Sequence, residues 1–522
     1  MVLAAAVCFS VISMGTRPLL RKKERREPFM TSRKKISMLI MLALLWGSPK
    51  AWSRDRTTPF PNLENPREIK DAGDPLQAAK SEDDDKETNK TKEWELGFEA
   101  ELTNYFLREA HAYFSPDARA WLESSVRLGA TVHYRDVMVE VSGLGIKTTG
   151  QDPFGTGTVP TGSPPGTRAP GTLPALYLDK AYFQLAKIGS VPLKVTLGRQ
   201  PIALGSQFLI GDGVYDGFAP SVRQGVYHNP RKGFDAIRLE WDFKGTHFDS
   251  FGYRVHPSWD GGMGRDGLFG GVDVSRASHN GGGTLAAGIF YRASRSGLDN
   301  DMALLNLRGE RRLRRPKNIC VSGELVWEFA GRCRNSTYCT TIGQKMNEAA
   351  WHAEFGYAGD TVPLKPFAEL GYVYYSANFT PVATGFSDWG KWYLGNQIDW
   401  IVFGTNTKII RAQAGLWPHA TVKLRVQYHN TRQASPTGTS RGGSLSNEFS
   451  FIAEWNPREK IWLNLLVGSS RPGSALRASG LRNPFAALNS GAAAVGNRSS
   501  FDLVFATGLR FNAKLKAGRA KR

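Results

Sequence analysis

The sequence predicts an all-β fold, in the form of one antiparallel transmembrane barrel of about 18 strands. Short segments in which apolar and polar residues alternate recur from about residue 94 to residue 511. Such alternation is typical of strands with one apolar and one wet face. The connections between the segments are alternately short and long, as they are in membrane barrels. The mean hydropathy of −0.33 argues against a bundle of membrane-spanning helices.

Residues 419–430 show the alternation most clearly. Their apolar face consists of Ala420, Val422, Leu424, Val426 and Tyr428, and their polar face of Thr421, Lys423, Arg425, Gln427 and His429. A soluble β-sandwich also alternates, but it has no reason to sort its connections by length. In lipid every backbone polar group must be paired, so a strand spans only within a closed barrel whose apolar side chains point outward. The segment therefore favours a membrane barrel.

In chain order, the predicted strands are 94–106, 120–135, 137–147, 176–186, 193–200, 233–243, 247–256, 268–275, 284–293, 302–313, 320–329, 349–358, 364–376, 407–416, 419–430, 447–456, 460–469 and 500–512. Their number is even, as in single-chain bacterial barrels. We therefore expect both chain termini on the side of the short turns. That side is predicted to be periplasmic, and the long loops extracellular. Loops such as 201–232 are candidates to fold into the lumen and narrow it.

Residues 1–53 are predicted to be a leader that contains a signal peptide. A positive region at 33–35 precedes an apolar stretch at 36–46, and 51–53 has the small-x-small pattern of a cleavage site. The apolar stretch is too short for a spanning helix. The residues upstream of Met30 indicate either that translation begins at Met30 or that the leader is unusually long.

Residues 54–92 are polar and carry an acidic run at 82–85, so they are predicted to be a disordered periplasmic lead-in. The barrel is predicted to occupy residues 93–522. The chain has a formal net charge of +20 at pH 7, most of which lies in the predicted barrel. A basic barrel is expected to take anionic cargo or to contact anionic lipopolysaccharide. Charge that keeps the loops soluble is the alternative.

The chain contains four cysteines. Cys333 and Cys339 lie in one predicted loop, and a short disulfide between them suits an oxidising compartment. Free thiols are the alternative, and a zinc site formed by three cysteines with His352 would match no standard ligand spacing. Cys320 is predicted to lie unpaired on a strand. We therefore expect a disulfide between Cys333 and Cys339, no metal and no cofactor.

Residues 193–243 carry the most specific motifs of the chain. The strand at 193–200 ends in Gly-Arg-Gln, a glycine-rich loop follows, and the next strand contains FDAIRL at 234–239. These motifs resemble those of the alginate-export family of outer-membrane barrels, apart from Ala236, which stands where the family usually has glycine. The resemblance implies a barrel in the bacterial outer membrane through which an anionic uronate polymer passes outward.

Basic residues on the predicted wet faces are the candidates for the substrate path. The alternation selects Arg127, Lys180, Arg238, Arg254, Arg411, Lys423 and Arg425. The family motif adds Arg199, although its parity places it with Leu197 on the outer face. Guanidinium groups bind carboxylates bidentately, so the set predicts an electropositive lumen for an anionic polysaccharide. The alternative is that these residues pair with glutamates on neighbouring strands and brace the wall.

No motif supports an enzyme. The chain contains no HExxH, P-loop or GxGxxG motif, and its GxSxG match at 438–442 lies in a hairpin loop rather than in the strand-turn-helix of a nucleophile elbow. The alternatives to polysaccharide export are a general anion-selective porin for small solutes, an outer-membrane enzyme and an adhesion barrel. Expected partners are outer-membrane lipid or lipopolysaccharide, anionic polysaccharide or small anions, and periplasmic export machinery. No nucleic acid is expected.

Overall fold

The computed structural model describes residues 94–110, 119–150, 175–211, 234–255, 267–278, 282–294, 301–313, 318–332, 343, 345–379, 406–435, 443–458, 460–478 and 499–516. All the described residues belong to one compact unit. The predicted leader and lead-in lie outside the described residues. So do Cys333 and Cys339, whose disulfide stays a prediction. Cys320 lies on a strand as a free thiol.

The described strands are β1 (Trp94–Ala110), β2 (Arg119–Tyr134), β3 (Val137–Gly150), β4 (Ala175–Leu185), β5 (Leu193–Gln200), β6 (Phe234–Phe243), β7 (Thr246–Val255), β8 (Gly267–Ala277), β9 (Gly283–Ser294), β10 (Asp301–Arg312), β11 (Ile319–Arg332), β12 (Glu348–Ala358), β13 (Phe367–Tyr375), β14 (Thr407–His419), β15 (Val422–Gln433), β16 (Ser444–Arg458), β17 (Ile461–Pro472) and β18 (Ser500–Lys516). Each overlaps one strand predicted from the sequence. A short helix, α1 (Ser474–Ala478), follows β17. Among the described residues, no helix is long and apolar enough to cross a membrane.

The sheet closes on itself. Every strand is antiparallel to the strands before and after it in the chain, and β1 also pairs with β18. The register of that closing pair runs without interruption from Glu95 opposite Lys516 to Ala110 opposite Phe501. Closure leaves no sheet edge, so the backbone groups of the wall are paired as lipid requires. The predicted 18-strand antiparallel barrel is confirmed.

The two ends of the barrel differ. We call the end where β1 leads to β2 the loop rim, and the end where β2 leads to β3 the turn rim. At the turn rim, Lys244 and Gly245 alone join β6 to β7, and both have positive φ, at 49° and 77°. Two positive φ values in succession are typical of the tight hairpin turn whose twist matches that of the strands.

The turn between β14 and β15 differs from the predicted one. Ala420 and Thr421 form the turn, whereas the sequence pattern placed them on a strand and placed the turn at Trp417 and Pro418. Pro418 instead lies within β14, where the register of the ladder shifts. Because proline has no N–H to donate to a ladder, an irregularity of this kind accommodates it.

The outward face of the wall is apolar and the inward face mostly polar. In β1, the outward side chains Phe98, Leu102 and Phe106 are exposed. Glu101 and Thr103, at positions of the opposite parity, face the interior. A barrel wall between lipid outside and an aqueous interior requires this arrangement.

Two apolar clusters lie inside the barrel. The larger combines residues 202–210, which follow β5, with inward side chains from the loop-rim halves of the wall, such as Phe251, Phe290 and Tyr375. The smaller consists of Tyr105, Leu107, Trp121, Ile452, Leu466, Val504 and Ala506. The interior at the loop rim is therefore partly apolar.

Candidate functional site in the barrel lumen

The inward face of β15 carries the charges that the sequence placed there. Lys423, Arg425, Gln427 and His429 are buried within the barrel, while Val426 and Tyr428 between them are exposed outside. Lys423 and Arg425 therefore point into the barrel, as their parity predicts. Both bases share one carboxylate, because Glu454 lies opposite Lys423 on β16.

The pair of bases on β15 is held tightly. Arg425 Nη2 lies 2.9 Å from Glu454 Oε1, and Lys423 Nζ lies 3.7 Å from Glu454 Oε2. Lys423 Nζ also lies 5.3 Å and 5.4 Å from the ring centroids of Phe367 and Trp417. Cation–π contact of this kind holds an ammonium group in place without neutralising it.

Arg411 on β14 lies between two glutamates. Its Nη1 is 2.7 Å from Glu369 Oε1 and 3.0 Å from Glu354 Oε1. Gln413 donates to the other oxygen of Glu369 at 3.0 Å. The side chain of Arg411 is only 2% exposed. One base with two acids makes this stretch of wall locally acidic.

Arg238 on β6 is bound in the same way. Its Nη2 lies 2.7 Å from Asp249 Oδ2 and 3.4 Å from Glu240 Oε1, and Lys194 Nζ lies 2.8 Å from Glu240 Oε2. Glu240, Asp249 and His247 also place their ligand atoms within 4.8 Å of one another. Arg238 and Lys194 already bind these carboxylates, and their positive charges would repel a metal cation. The three side chains therefore belong to the ion-pair network of the wall.

Arg127 and Lys180 are also paired inside the barrel. Arg127 lies 2.7 Å from Glu101 and 2.8 Å from Asp179, and Lys180 lies 2.9 Å from Glu140. A register shift between β3 and β4 turns both Asp179 and Lys180 inward, although they are consecutive residues. A β-bulge re-aims side chains in this way, and simple alternation cannot predict it.

Arg199, which the family motif added to the substrate path, lies on the outer face as its parity predicts, and the inward facing predicted for Arg254 is wrong. Arg199 donates to both oxygens of Asp235, at 2.8 and 2.9 Å, and this pair lies on the outer face with Leu197, which is 42% exposed. Arg254 is likewise exposed, whereas its neighbour Tyr253 points into the apolar cluster. Sequence reasoning assumed that polar residues face inward, and that rule fails where the interior is apolar.

The segment 201–211, which follows β5, folds into the lumen. Ile202 and Ile210 are fully buried, and Phe208 is 3% exposed. The Phe208 ring lies 4.9 Å from that of His352 on β12 and 5.5 Å from that of Tyr375 on β13, between centroids. These strands lie seven and eight positions from β5 around the closed sheet. We call 201–211 the plug segment, because it crosses the interior.

Polar contacts also hold the plug segment. The Ser206 hydroxyl donates to Glu324 on β11 at 2.6 Å, and Asn306 donates to the other oxygen of Glu324 at 2.7 Å. Next to them, Arg308 binds both oxygens of Asp273, at 2.7 and 2.5 Å. The sequence named 201–232 as a candidate to fold inward. The apolar run Phe208 to Ile210 within a glycine-rich loop is the signal that points to this part of it.

Ser206, Glu324 and His352 are residue types that also occur in hydrolase triads, but their arrangement differs. The serine hydroxyl donates to the carboxylate, and His352 Nε2 lies 3.9 Å from that same carboxylate. A triad needs the imidazole beside the hydroxyl, with the carboxylate behind it. This arrangement is therefore structural, and it anchors the plug segment.

Comparison with known proteins agrees with the geometry. A family model described as alginate export matches residues 167–483. A search of curated proteins found no match to the chain. The outer membrane protein OpdK of Pseudomonas aeruginosa is similar in structure, with a TM-score of 0.50 and 10% sequence identity over 80% of this chain and 99% of that chain.

Two other solved structures are similar to the same extent. OccAB1 of Acinetobacter baumannii has a TM-score of 0.52 and 11% identity over 80% of this chain and 97% of that chain. OccK2 (OpdF) of Pseudomonas aeruginosa, crystallised in complex with glucuronate, has a TM-score of 0.51 and 11% identity over 80% of this chain and 98% of that chain. At these identities the likeness shows the fold. The family match spans more than half of the chain and agrees with the closed barrel, so the chain belongs to the alginate export family of outer-membrane β-barrel channels.

Proposed function

We propose that this channel passes an anionic polysaccharide such as alginate outward across the outer membrane. The match to the alginate export family over residues 167–483 carries the proposal. An 18-strand barrel is wide enough for an aqueous channel. The structurally similar OccK2 was crystallised with glucuronate, which suggests uronates as probes for this chain.

The ion pairs of the inner wall support passage rather than capture. Arg127 and Arg238, whose side chains are 12% and 17% exposed, each already bind a carboxylate of the wall. A uronate carboxylate that reaches such a guanidinium exchanges with a resident carboxylate, so one charge-assisted bond replaces another. Such an exchange leaves the free energy almost unchanged along the path. A polymer can therefore move from site to site without a deep minimum, and we expect moderate rather than strong anion selectivity.

A general anion-selective porin for small solutes is the second candidate. The plug segment favours it, because residues 202–210 occupy part of the interior at the loop rim. A narrowed path suits small anions, whereas a polymer requires the plug segment to leave room for a chain of sugar rings. Transient block by an oligomer therefore separates the two functions.

The test is the reversal potential of the purified channel in a planar bilayer under a salt gradient, with and without oligouronate. We expect a moderate anion preference and transient block by the oligomer. Replacing Arg238, Lys423 and Arg425 together by glutamine leaves Asp249 and Glu454 without these partners, so selectivity should shift clearly towards cations. A channel that prefers cations before any replacement would contradict an electropositive path.

A matched control removes one charge of each sign. The double replacement Arg425→Gln with Glu454→Gln keeps the net charge of the wall, and the reversal potential should stay at its original value. If the reversal potential of this double variant shifts as far as that of the triple variant, packing rather than charge controls selectivity. Anion preference without block by oligouronate would favour the porin over the polysaccharide channel.

A further inference from the structure

A group of basic and amide side chains, which we call the rim patch, lies at the loop rim on four adjacent strands. It consists of Lys408 on β14, Asn430 and Arg432 on β15, Asn447 on β16 and Arg471 on β17. The register places Lys408 opposite Arg432, Asn430 opposite Asn447, and Asn447 opposite Arg471. The five side chains therefore form one continuous surface.

The rim patch faces away from the lumen. Lys408 shares its parity with Ile410, which is 44% exposed, while Ile409 between them is fully buried. Arg432 shares its parity with the exposed Tyr428. The patch therefore lies on the lipid side of the wall.

Hydrogen bonds order the centre of the rim patch. Arg432 Nε donates to Asn430 Oδ1 at 3.0 Å, and Asn430 Nδ2 donates to Asn447 Oδ1 at 2.5 Å. The Tyr428 hydroxyl donates to the same oxygen of Asn447 at 3.0 Å. The two Nη groups of Arg432 take no part in these bonds. The patch thus presents the guanidinium of Arg432 in a fixed position, with its two Nη groups outside these hydrogen bonds.

The charges of the rim patch lack the compensation that the lumen has. Inside the barrel, bases such as Arg425 bind carboxylates. In the part of the chain that the structure describes, no carboxylate forms an ion pair with Lys408, Arg432 or Arg471. Lys408 and Arg432 are directly opposed cross-strand neighbours, and like charges in that position destabilise a sheet. A bound anion would relieve this repulsion.

The same face turns apolar one step towards the turn rim. Ile410, Tyr428, Phe449 and Phe451 continue the outward side of the same strands and are exposed, Phe449 to 53%. A ligand that fits both regions carries phosphate groups at one end and acyl chains at the other. Free phosphate satisfies only the first region, and a neutral lipid only the second.

We propose that the rim patch binds the phosphates of lipid A, the membrane anchor of lipopolysaccharide. Its acyl chains lie on the apolar face below, and its sugar hydroxyls meet the amides of Asn430 and Asn447. The inference rests on the outer-membrane location and on the predicted extracellular position of the loop rim, because lipopolysaccharide occupies the outer leaflet. It does not depend on the cargo of the channel.

The experiment uses the full-length barrel purified in detergent, freed of bound lipid and titrated with rough lipopolysaccharide. The readout is the melting temperature, which is measured by the loss of the folded band on unheated gels. We expect lipopolysaccharide to raise the melting temperature of the native protein. The triple replacement of Lys408, Arg432 and Arg471 by glutamine should need about tenfold more lipopolysaccharide for the same shift, because three screened charge contacts are removed.

The control replaces exposed bases at the turn rim, Arg276, Arg311 and Lys460, by glutamine. It should respond to lipopolysaccharide as the native protein does. The single replacement Lys408→Gln separates binding from folding. Without lipopolysaccharide its melting temperature should be equal to or higher than that of the native protein, because a like-charge contact has gone. When lipopolysaccharide is added, the melting temperature of this variant should rise by less than that of the native protein.

Several results would overturn the proposal. An unchanged response in the triple variant would show that the rim patch is not the binding site. An equal loss in the turn-rim control would show that only total charge matters. If phosphatidylglycerol or inorganic phosphate raises the melting temperature as much as lipopolysaccharide does, the patch is a general anion surface and not a lipid A site.

Discussion

Truncating Phe208 should release the plug segment. Its ring is 3% exposed and packs between His352 and Tyr375, with centroid distances of 4.9 and 5.5 Å. Removing a buried phenylalanine ring costs about 3–5 kcal/mol. Since each 1.4 kcal/mol or so is a factor of ten, the ratio of displaced to inserted segment should rise by about a hundredfold to a few thousandfold. The barrel wall should stay intact, because the segment adds no strand to it.

Single-channel recording in planar bilayers measures this release. The Phe208→Ala variant should show a higher conductance or much more frequent transitions to a high-conductance state. Phe449→Ala is the matched control, since it removes the same ring from the exposed outer face. The control should keep the native conductance. If Phe208→Ala also conducts and gates as the native channel does, the plug segment does not limit the path.

Three further outcomes can be measured. Gly198→Ala should lower the urea concentration at which the folded band disappears on unheated gels, because φ is +113° there and the new Cβ would clash with the carbonyl oxygen of Ala181 on β4. Arg411→Leu should destabilise the barrel by about 3–5 kcal/mol in urea titrations of tryptophan fluorescence, because two inward glutamates lose their shared partner, and replacing one of them by glutamine should restore part of the loss. A tag inserted within 436–443 should be labelled on intact cells and one beside Asp136 should not, and the reverse pattern would contradict the predicted orientation.

The fold follows from local rules that a sequence displays directly. Residues of a strand alternate between two faces, so the order of side chains in β15 was enough to place Lys423 and Arg425 inside and Val426 outside. Lipid then requires closure, and the recurrence of the pattern sets the number of strands. These inferences need no knowledge of which residues meet across the barrel.

The same rules fail where a side chain's position depends on distant parts of the chain. Alternation placed Lys180 inward but could not place its neighbour Asp179 there too, because the bulge that turns both inward depends on the register between β3 and β4. Arg254 faces outward because Phe251 and Tyr253 fill an apolar interior that exists only once the plug segment has folded in. A glycine-rich loop with a short apolar run does not reveal which strands it will reach.

The sequence by itself determined the barrel, its strands and the facing of most of the basic residues, because the period of a strand and the demands of lipid act locally. Only the tertiary structure decided which charges neutralise one another. Cross-strand register brings Arg411 to Glu354 and Glu369, and it brings Lys408 to Arg432. Partners that lie tens of residues apart in the chain meet only when their strands pair, so net charge could not show that the inner bases bind carboxylates while, among the described residues, the bases of the rim patch do not.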